Sequence, residues 1–278
     1  MKCAAIAGRT AGAMSMGADV PVSDDLHNAS GDAIDQPLPG RFILDRSRNA
    51  TAQVFEHLRE LIVTLALKPG AILSRPALSN YFALSQTPVR DALTRLGEER
   101  LVDIYPQHAT RVSAIDLSSA RQAHFLRLSL ELEIVSVLAH GPNPQMEKLL
   151  LGLVSRQRHH LQMDDLENFT RADMEFHLAM YQQAQVADLW STMRSKSGHL
   201  DRLRRMHLSL NGKAQSILAQ HTQIARLIGA GDADKAREHV RAHLSGTLRV
   251  LDILRAQDID KVLPDSYSPD AFAVHFHT

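Results

Sequence analysis

The chain has 278 residues, 44% of them hydrophobic, and its 31 lysines and arginines balance its 31 aspartates and glutamates. This length suits one large domain or two ordinary ones, and we expect two. The neutral balance excludes a strongly basic protein, so any attraction to nucleic acid must come from a local patch of positive charge.

Cysteine usage and hydropathy indicate a cytoplasmic protein. The single cysteine, Cys3, excludes an internal disulfide framework and a multi-cysteine zinc site. The longest apolar runs, such as LIVTLAL at 61–67, are far shorter than the roughly 20 residues needed to cross a bilayer. Arg9 interrupts the N-terminal stretch before an apolar export signal can form. We therefore expect no membrane partner.

Both ends of the chain lack the pattern of a folded element. Residues 1–40 are rich in Ala, Gly, Ser and Asp, and their few large apolar side chains cannot offset the entropy of ordering. We predict a disordered N-terminal extension there. Residues 258–278 contain two prolines and no sustained period, which predicts a tail.

Residues 41–115 have the pattern of a small winged domain. Apolar positions at helical spacing predict a first helix over 50–67, which KPG at 68–70 ends. A second helix follows at 75–84, and a third starts at Pro88 after a turn, with Ser85 or Thr87 as its N-cap. The β-branched stretch LVDIYPQHATRVSAI at 101–115 predicts a two-stranded hairpin around a turn at 106–109. This order is typical of a winged helix-turn-helix, although a small helical domain that binds nothing remains an alternative.

The predicted third helix has an apolar and a polar face. Val89, Leu93 and Leu96 point inward, which leaves a polar outward face. The residues of that outward face are Gln86, Thr87, Arg90 and Thr94.

Residues 58–115 resemble the DNA-binding domain of the GntR family of bacterial transcription regulators. The resemblance rests on the PG turn, on LSQTPVRDAL at 84–93 against the family's VSRTPVREAL, and on EERLV at 98–102 against EEGLV. It implies that the third helix lies in the DNA major groove, where Arg90 can contact a guanine edge or a phosphate and Thr87 a phosphate oxygen. The implied DNA-contacting residues are Arg75, Ser85, Gln86, Thr87, Arg90, His108 and Arg111.

Three positions depart from the family pattern. Gln86 replaces an arginine, and its amide suits adenine better than guanine. Pro76 stands where an arginine is common, beside Arg75, and the wing tip is His108-Ala109 instead of Arg-Gly. These departures affect the target sequence more than DNA binding itself.

Residues 117–257 are predicted to be helical almost throughout. Breaks are expected at 141–144, near 197–198, at 211–212 and at 229–232, and no segment there alternates like a strand. The helix lengths suit an antiparallel bundle. The predicted fold is therefore mainly α, with a winged helix-turn-helix carrying a short β-hairpin wing, followed by an all-helical bundle.

Four polar residues of the predicted bundle fall on apolar stripes. Asp173 and His177 lie one turn apart in DMEFHLAM, and His221 and His243 lie at similar heights on a helical hairpin. A buried carboxylate needs a partner or a cation. The four side chains lie on three helices and can converge on a divalent transition metal, and hydrogen-bonded core histidines remain the alternative. Zinc is the first expectation, and nickel or manganese also fit. The other histidines at 159, 160 and 239 are predicted to lie on the surface.

Residues 120–250 resemble the FCD domain, the helical effector domain of one GntR subfamily. DMEFH matches its D-x-x-x-H, and QHTQIARLIGAGDADKAREHVRAHL at 220–244 matches its last helical pair. The resemblance implies the metal ligands Asp173, His177, His221 and His243. It departs from the family at Val186, where an asparagine is common.

We therefore predict a homodimeric, metabolite-responsive repressor that reads an inverted-repeat DNA operator. The metal anchors a small carboxylate, and Arg127 completes the clamp, with Arg202 or Arg205 as substitutes and a surface salt bridge as the alternative role of Arg127. A metal-dependent enzyme is a second hypothesis, but HVRAH at 239–243 has Val240 where H-E-x-x-H needs a glutamate, so we predict no enzyme. A third hypothesis is a purely structural metal.

Overall fold

Short strands and long helices divide the chain into a head and a helical body. The computed structural model describes residue 38 and residues 42–105, 110–208, 210 and 212–249, and for residue 249 only the backbone. The predicted tail and the N-terminal extension other than residue 38 lie outside the described residues, as does the wing turn at 106–109 with His108.

The head follows the order of a winged helix-turn-helix. Its elements are α1 Ala50–Val63, β1 Ile72–Leu73, α2 Arg75–Phe82, α3 Gln86–Glu98, β2 Val102–Ile104 and β3 Thr110–Val112. The predicted hairpin is confirmed as the antiparallel pair β2–β3, with Val102 opposite Val112. Strand β1 was not predicted, and it pairs with β3 to give the order β1-β3-β2.

Helix α1 is shorter than predicted because its last turn unwinds. Asn49 caps its start by accepting from the Ala52 N–H, and Leu65 takes a left-handed conformation (φ 63°) that a helix cannot contain. The chain then turns so that Leu67 is fully buried in the core of the head. That core also contains the predicted inward residues of α3, which are Val89, Leu93 and Leu96.

The body is a helical bundle. Its elements are α4 Leu117–Leu138, α5 Pro144–Gln162, α6 Leu166–Gln183, α7 Ala187–Lys196, α8 Gly198–Leu208, α9 Lys213–Ala230 and α10 Ala233–Arg249. The expected breaks fall between helices, but two further breaks were missed. Asp164 (φ 55°) separates α5 from α6, and Gln185 (φ 61°) separates α6 from α7. Short loops join α5 to α6 and α9 to α10, so each pair runs antiparallel.

The turn between α9 and α10 packs tightly against the loop between α4 and α5. Gly231 ends α9 with φ 75°, and a Cβ there would lie 2.6 Å from the carbonyl carbon of Gly141. The Asn143 N–H also donates to the Gly229 carbonyl oxygen at 2.9 Å. This close contact, which requires glycine, fixes the heights at which α9 and α10 present their side chains.

The head contacts the body at the start of α8. A Cβ on Gly198 would lie 2.6 Å from a methyl group of Leu101, so the Leu101 side chain packs directly against the Gly198 backbone. The buried Arg202 donates to the Ser113 carbonyl oxygen at 2.7 Å, and His199 donates to the Arg100 carbonyl oxygen at 3.0 Å. No helix among the described residues is long and apolar enough to cross a membrane.

Candidate metal centre and DNA-binding surface

Three helices of the body bring four potential metal ligands together. Helix α6 contributes Asp173 and His177, α9 contributes His221 and α10 contributes His243. One ligand atom from each lies within 4.8 Å of the others, and all four side chains are buried. The structure therefore brings the predicted ligands together.

Hydrogen bonds around the cluster orient its imidazoles. Nδ1 of His177 lies 2.8 Å from Glu131 Oε2, and Nδ1 of His221 lies 2.8 Å from Gln157 Oε1. Nδ1 of His243 lies 2.9 Å from Gln220 Oε1. Because carboxylate and amide oxygens only accept hydrogen bonds, each Nδ1 carries the proton. The unprotonated Nε2 atoms therefore face the centre of the cluster.

The centre of the cluster contains acceptors that lack a donor. Nε2 of His221 and Nε2 of His243 lie 3.2 Å apart, and each presents a lone pair to the other. Asp173 Oδ1 and His177 Nε2 are buried without a hydrogen-bond partner among the described residues. Buried acceptors without a donor are costly, and a shared cation would satisfy all four atoms at once.

The donor set and its spacing fit a divalent transition metal. Three imidazole nitrogens and one carboxylate oxygen are typical ligands of zinc, which binds them at roughly 2.0–2.2 Å. In a tetrahedral site at these distances the ligand atoms lie roughly 3.3–3.6 Å apart, so side chains at the full 4.8 Å spread would have to close in by about 1 Å. When bound, a divalent metal with an open position would supply a Lewis acid that attracts anions.

The electrostatics keep the cluster ready to bind a cation. Burial alone would raise the pKa of Asp173, but the Arg204 guanidinium, which donates to Asp173 Oδ2, holds that pKa well below its usual range. Burial lowers the pKa of His221 to about 3 and the pKa of His243 well below its usual range. At neutral pH the aspartate is therefore charged and these imidazoles are neutral, as metal ligands must be.

A buried ion pair contacts the cluster at His177. Glu131 accepts a hydrogen bond from Arg127 Nε at 2.7 Å and also faces His177. Burial would raise the pKa of Glu131, but Arg127 and then His177 lower it to about 2. The charged Glu131 thus fixes the orientation of the His177 ring, in the manner of carboxylates that support metal-bound histidines.

A cavity of about 240 Å³ adjoins the cluster. Asp173 lies in its wall, and so do the cationic side chains of Arg204, Arg205 and Lys213. A smaller recess beside His243 is lined by Arg127 and again by Arg204 and Lys213. The cavity wall therefore carries cationic side chains that can attract an anion to the cluster, together with the carboxylates of Glu60, Glu167 and Asp201.

The three arginines predicted to hold an effector have different surroundings. Arg205 lines the large cavity, and Arg127 lines the recess while paired with Glu131 in the interior, not at the surface. Arg202 lines neither cavity, because its guanidinium is bound to Ser113 at the junction with the head. Arg127 and Arg205 are therefore better placed than Arg202.

Several residues around the cluster were missed by the sequence interpretation. Gln157 continues the buried stripe formed by Leu150 and Val154 on α5, so a buried polar residue there could have been noticed. Arg204 and Lys213 gave no such signal, since each lies among other charged or polar residues.

The outward face of α3 is exposed. Gln86, Thr87, Arg90 and Thr94 are all exposed on it, and Ser85 stands at its N-cap without a side-chain capping hydrogen bond. Arg90 is paired with the adjacent Asp91 at 3.1 Å. The remaining described residues predicted to contact DNA are the exposed Arg75 at the start of α2 and the half-buried Arg111 on β3.

Two family profiles match the chain over most of its described length. Residues 50–112 match the profile described as bacterial regulatory proteins, gntR family, and residues 122–246 match the FCD domain. The two matches correspond to the head and the body.

Curated relatives align with nearly their whole length. The chain is 32% identical to an uncharacterized HTH-type transcriptional regulator in an unstable DNA locus of Streptomyces ambofaciens, over 82% of this chain and 93% of the relative. It is 26% identical to the HTH-type transcriptional repressor RspR of Escherichia coli K12, over 78% of this chain and 95% of that protein. These relatives are regulators and not enzymes.

Solved structures share the fold. E. coli McbR/YncC aligns with a TM-score of 0.62 and 23% identity, over 76% of this chain and 99% of that one. A GntR regulator from Rhodococcus sp. RHA1 aligns with a TM-score of 0.61 and 20% identity, over 73% of this chain and 97% of that one.

Proposed function

The chain belongs to the GntR family of bacterial regulatory proteins, in the group with an FCD domain, and we propose that this DNA-binding transcription regulator is a metabolite-responsive repressor. In this proposal a homodimer reads an inverted-repeat operator. A divalent metal in each body anchors a small carboxylate effector. The E. coli relative RspR is named a transcriptional repressor, which supports repression over activation for this chain.

The observation that carries the proposal is a chain of polar contacts from the metal cluster to the recognition helix. Arg204 donates to Asp173 and lies 3.8 Å from Asp201, which in turn accepts from Arg194. The main-chain oxygen of Arg194 accepts from Arg59 on α1 at 2.7 Å.

The last link of this chain reaches α3. Arg59 Nε donates at 2.7 Å to Glu99, the residue that caps the C-terminus of α3. Both side chains of this pair are mostly buried, with 12% and 13% exposed, so solvent screens the contact less than it screens a surface pair. A change of charge at Asp173 therefore has a route of direct contacts to the helix that faces DNA.

In this proposal, effector binding and DNA binding are coupled because the effector competes with Asp173 and Asp201 for Arg204. An anion that binds the metal and Arg204 draws this guanidinium away from Asp173 and Asp201. Arg194 and Arg59 then rearrange, and the arrangement of head and body that best accommodates the anion is favoured. Operator affinity changes by the difference in effector affinity between the two arrangements.

DNA recognition is assigned to the exposed face of α3. Arg90 has the planar fork needed to contact a guanine edge in the major groove, once it leaves its weak surface pair with Asp91. Thr87 and Ser85 lie near the N-terminus of α3, where backbone N–H groups suit phosphate oxygens.

A structural metal is a second candidate, because the cluster ties α6, α9 and α10 together. Chelation separates the two roles. Removing a purely structural ion should unfold the body, whereas removing a sensing ion should leave the helical circular dichroism signal intact and change the operator affinity.

The test of the proposed function is selection of DNA from a random-sequence pool by the zinc-loaded protein. We expect enrichment of an inverted repeat, and no enrichment with the Arg90→Ala variant. Enrichment of a single half-site would contradict the dimer, and the absence of any enriched sequence would contradict the regulator.

A further inference from the structure

The cavity beside the metal cluster is shared between the body and the DNA-binding head. One part of its wall comes from α1, through Glu60, Val63 and Thr64. Other parts come from α8 and α9 of the body and from α6, which contributes Asp173. At about 30 Å³ per water-sized group, the 240 Å³ volume admits a molecule of roughly eight such groups. A ligand of that size can contact the metal cluster and α1 simultaneously.

The end of the cavity near the metal cluster favours a carboxylate. Arg204 and Lys213 both line it, beside Asp173. The side chain of Lys213 makes no hydrogen bond or ion pair with any described residue, so its ammonium group can pair with a ligand. The divalent metal of the proposed function adds further positive charge there.

The wall of the cavity also contains carboxylates that do not belong to the cluster. Glu167 lies in the wall six residues before Asp173 on the same helix, so at ~1.5 Å per residue it is about 9 Å away along the axis. The Glu167 carboxylate is paired with Arg171. Glu60 on α1 has no ion-pair partner among the described residues, and the adjacent Thr64 uses its hydroxyl to donate to the Glu60 carbonyl oxygen. Glu60 therefore brings from the DNA-binding head a carboxylate without an ion-pair partner among the described residues into the wall of the same cavity.

We propose that the ligand of this cavity is a small zwitterion with its carboxylate and its ammonium group at opposite ends. The carboxylate binds the metal, Arg204 and Lys213, and the ammonium group binds Glu60 of α1. This inference rests on the proposed function, because it places the ligand at the metal of the effector site. The ligand thus bridges the body and the head, and its binding acts on α1 directly.

The charge pattern argues against a ligand with two acid groups. A second carboxylate beside Glu60 would face a like charge, and the wall arginines Arg171 and Arg194 are already paired with Glu167 and Asp201. A carboxylate with an apolar tail would leave Glu60 unpaired as well. Only a donor beside Glu60, and an ammonium group above all, satisfies the carboxylate on α1.

The experiment compares three acids that share a five-carbon chain: δ-aminovalerate, valerate and glutarate. Each is titrated into the zinc-loaded full-length protein by isothermal calorimetry after zinc uptake has been measured. We expect δ-aminovalerate to bind about five- to tenfold more tightly than valerate, and glutarate no more tightly than valerate. The preference should disappear in Glu60→Gln. It should persist in Glu56→Gln, which lies one turn earlier on α1, is paired with Arg48 and is not in the cavity wall.

The other outcomes separate the inference from the proposed function. If zinc is bound but glutarate or valerate binds as tightly as δ-aminovalerate, the proposal of a zwitterionic ligand is wrong and the proposed metal site is unaffected. The same holds if Glu60→Gln keeps the preference for δ-aminovalerate. The same conclusion follows if none of the three acids binds the zinc-loaded protein. If zinc is not taken up at all, the metal-dependent effector site of the proposed function fails.

Discussion

Replacing His243 should remove most of the stabilisation that zinc gives to the protein. His243→Gln deletes one of the four ligands and also separates the pair of Nε2 atoms that lie 3.2 Å apart in the interior. Losing a hydrogen-bonded neighbour of a ligand weakens metal binding by about 10–100-fold, so losing the ligand itself should cost at least about 100-fold. His239→Gln is the matched control, because His239 is one turn earlier on α10 and partly exposed, and among the described residues its ring is hydrogen-bonded to the Lys235 carbonyl oxygen alone.

The size of the effect follows from ligand linkage. Free zinc at ~100 times its Kd stabilises the wild-type protein by about 2.7 kcal/mol, and a 100-fold weaker site gains only about 0.4 kcal/mol at the same concentration. At ~2–4 °C per kcal/mol for a chain of this size, the zinc-induced rise in Tm should fall from about 5–11 °C to about 1–2 °C. Differential scanning fluorimetry with and without zinc measures this. A full shift in His243→Gln, or an equal loss in His239→Gln, would refute the assignment of His243 as a ligand.

Four further predictions follow from other parts of the structure. Arg90→Ala should weaken specific operator binding by about 10–100-fold, since it removes the guanidinium that contacts a base edge. Fluorescence anisotropy measures this affinity, and Arg158→Ala, at an exposed position on α5, is the control. Glu131→Gln should weaken zinc binding by about 10–100-fold in competition with a chromogenic chelator, because the His177 ring loses its charged acceptor. Arg59→Gln should shrink the zinc-dependent change in operator Kd by about threefold or more while zinc affinity stays constant, because the polar contacts to α3 are cut. Burial lowers the pKa of His199 to about 4, so between about pH 7.5 and 5.5 this imidazole is protonated in the unfolded state but not in the folded state. The free energy of unfolding should therefore fall by about 1 kcal/mol as the pH drops from roughly 7.5 to 5.5. Urea unfolding of His199→Gln should show a correspondingly weaker pH dependence.

Each of these four predictions has an outcome that contradicts it. Equal loss of operator binding in Arg90→Ala and Arg158→Ala would mean that charge alone, and not a base contact, matters. An unchanged zinc affinity in Glu131→Gln would separate this carboxylate from the metal site. A full zinc response in Arg59→Gln would show that the signal takes another route. An equal pH dependence with and without His199 would assign the proton uptake to other groups.

The cluster of Asp173, His177, His221 and His243 could be predicted from the sequence because helical geometry determines most of the relative positions of these residues. A spacing of four places Asp173 above His177 on one face, and the short turn at Gly231 sets His221 and His243 at similar heights. The apolar neighbours of each residue then show that these faces point inward. Periodicity and one turn brought the four residues into consideration, and the resemblance to the FCD domain identified them as a set of metal ligands.

The wall of the cavity could not be predicted in the same way. Arg204 reaches Asp173 because α8 packs with Leu200 and Leu203 against the junction with the head, which directs Arg204 toward α6. That orientation depends on how three elements pack, and no period in the sequence of α8 specifies it. The cavity between α1 and the body is a tertiary feature of the same kind.

The errors in the fold have local causes. Strand β1 has only two residues, too few for an alternating pattern, and it forms because β3 offers it hydrogen-bonding partners. The breaks after α5 and α6 contain neither glycine nor proline. Asp164 and Gln185 adopt the left-handed conformation there, which residues other than glycine take far less often, so the usual signals of a turn were absent.

The most direct test of the account is fluorescence anisotropy of the purified protein on labelled DNA from upstream of its own gene. The measurement spans a salt series and includes a scrambled control, with and without zinc. The account predicts saturable binding to one fragment, much tighter than to the scrambled DNA, steeply weakened by salt and altered by zinc. Binding no tighter than to scrambled DNA, with no effect of zinc, would contradict it.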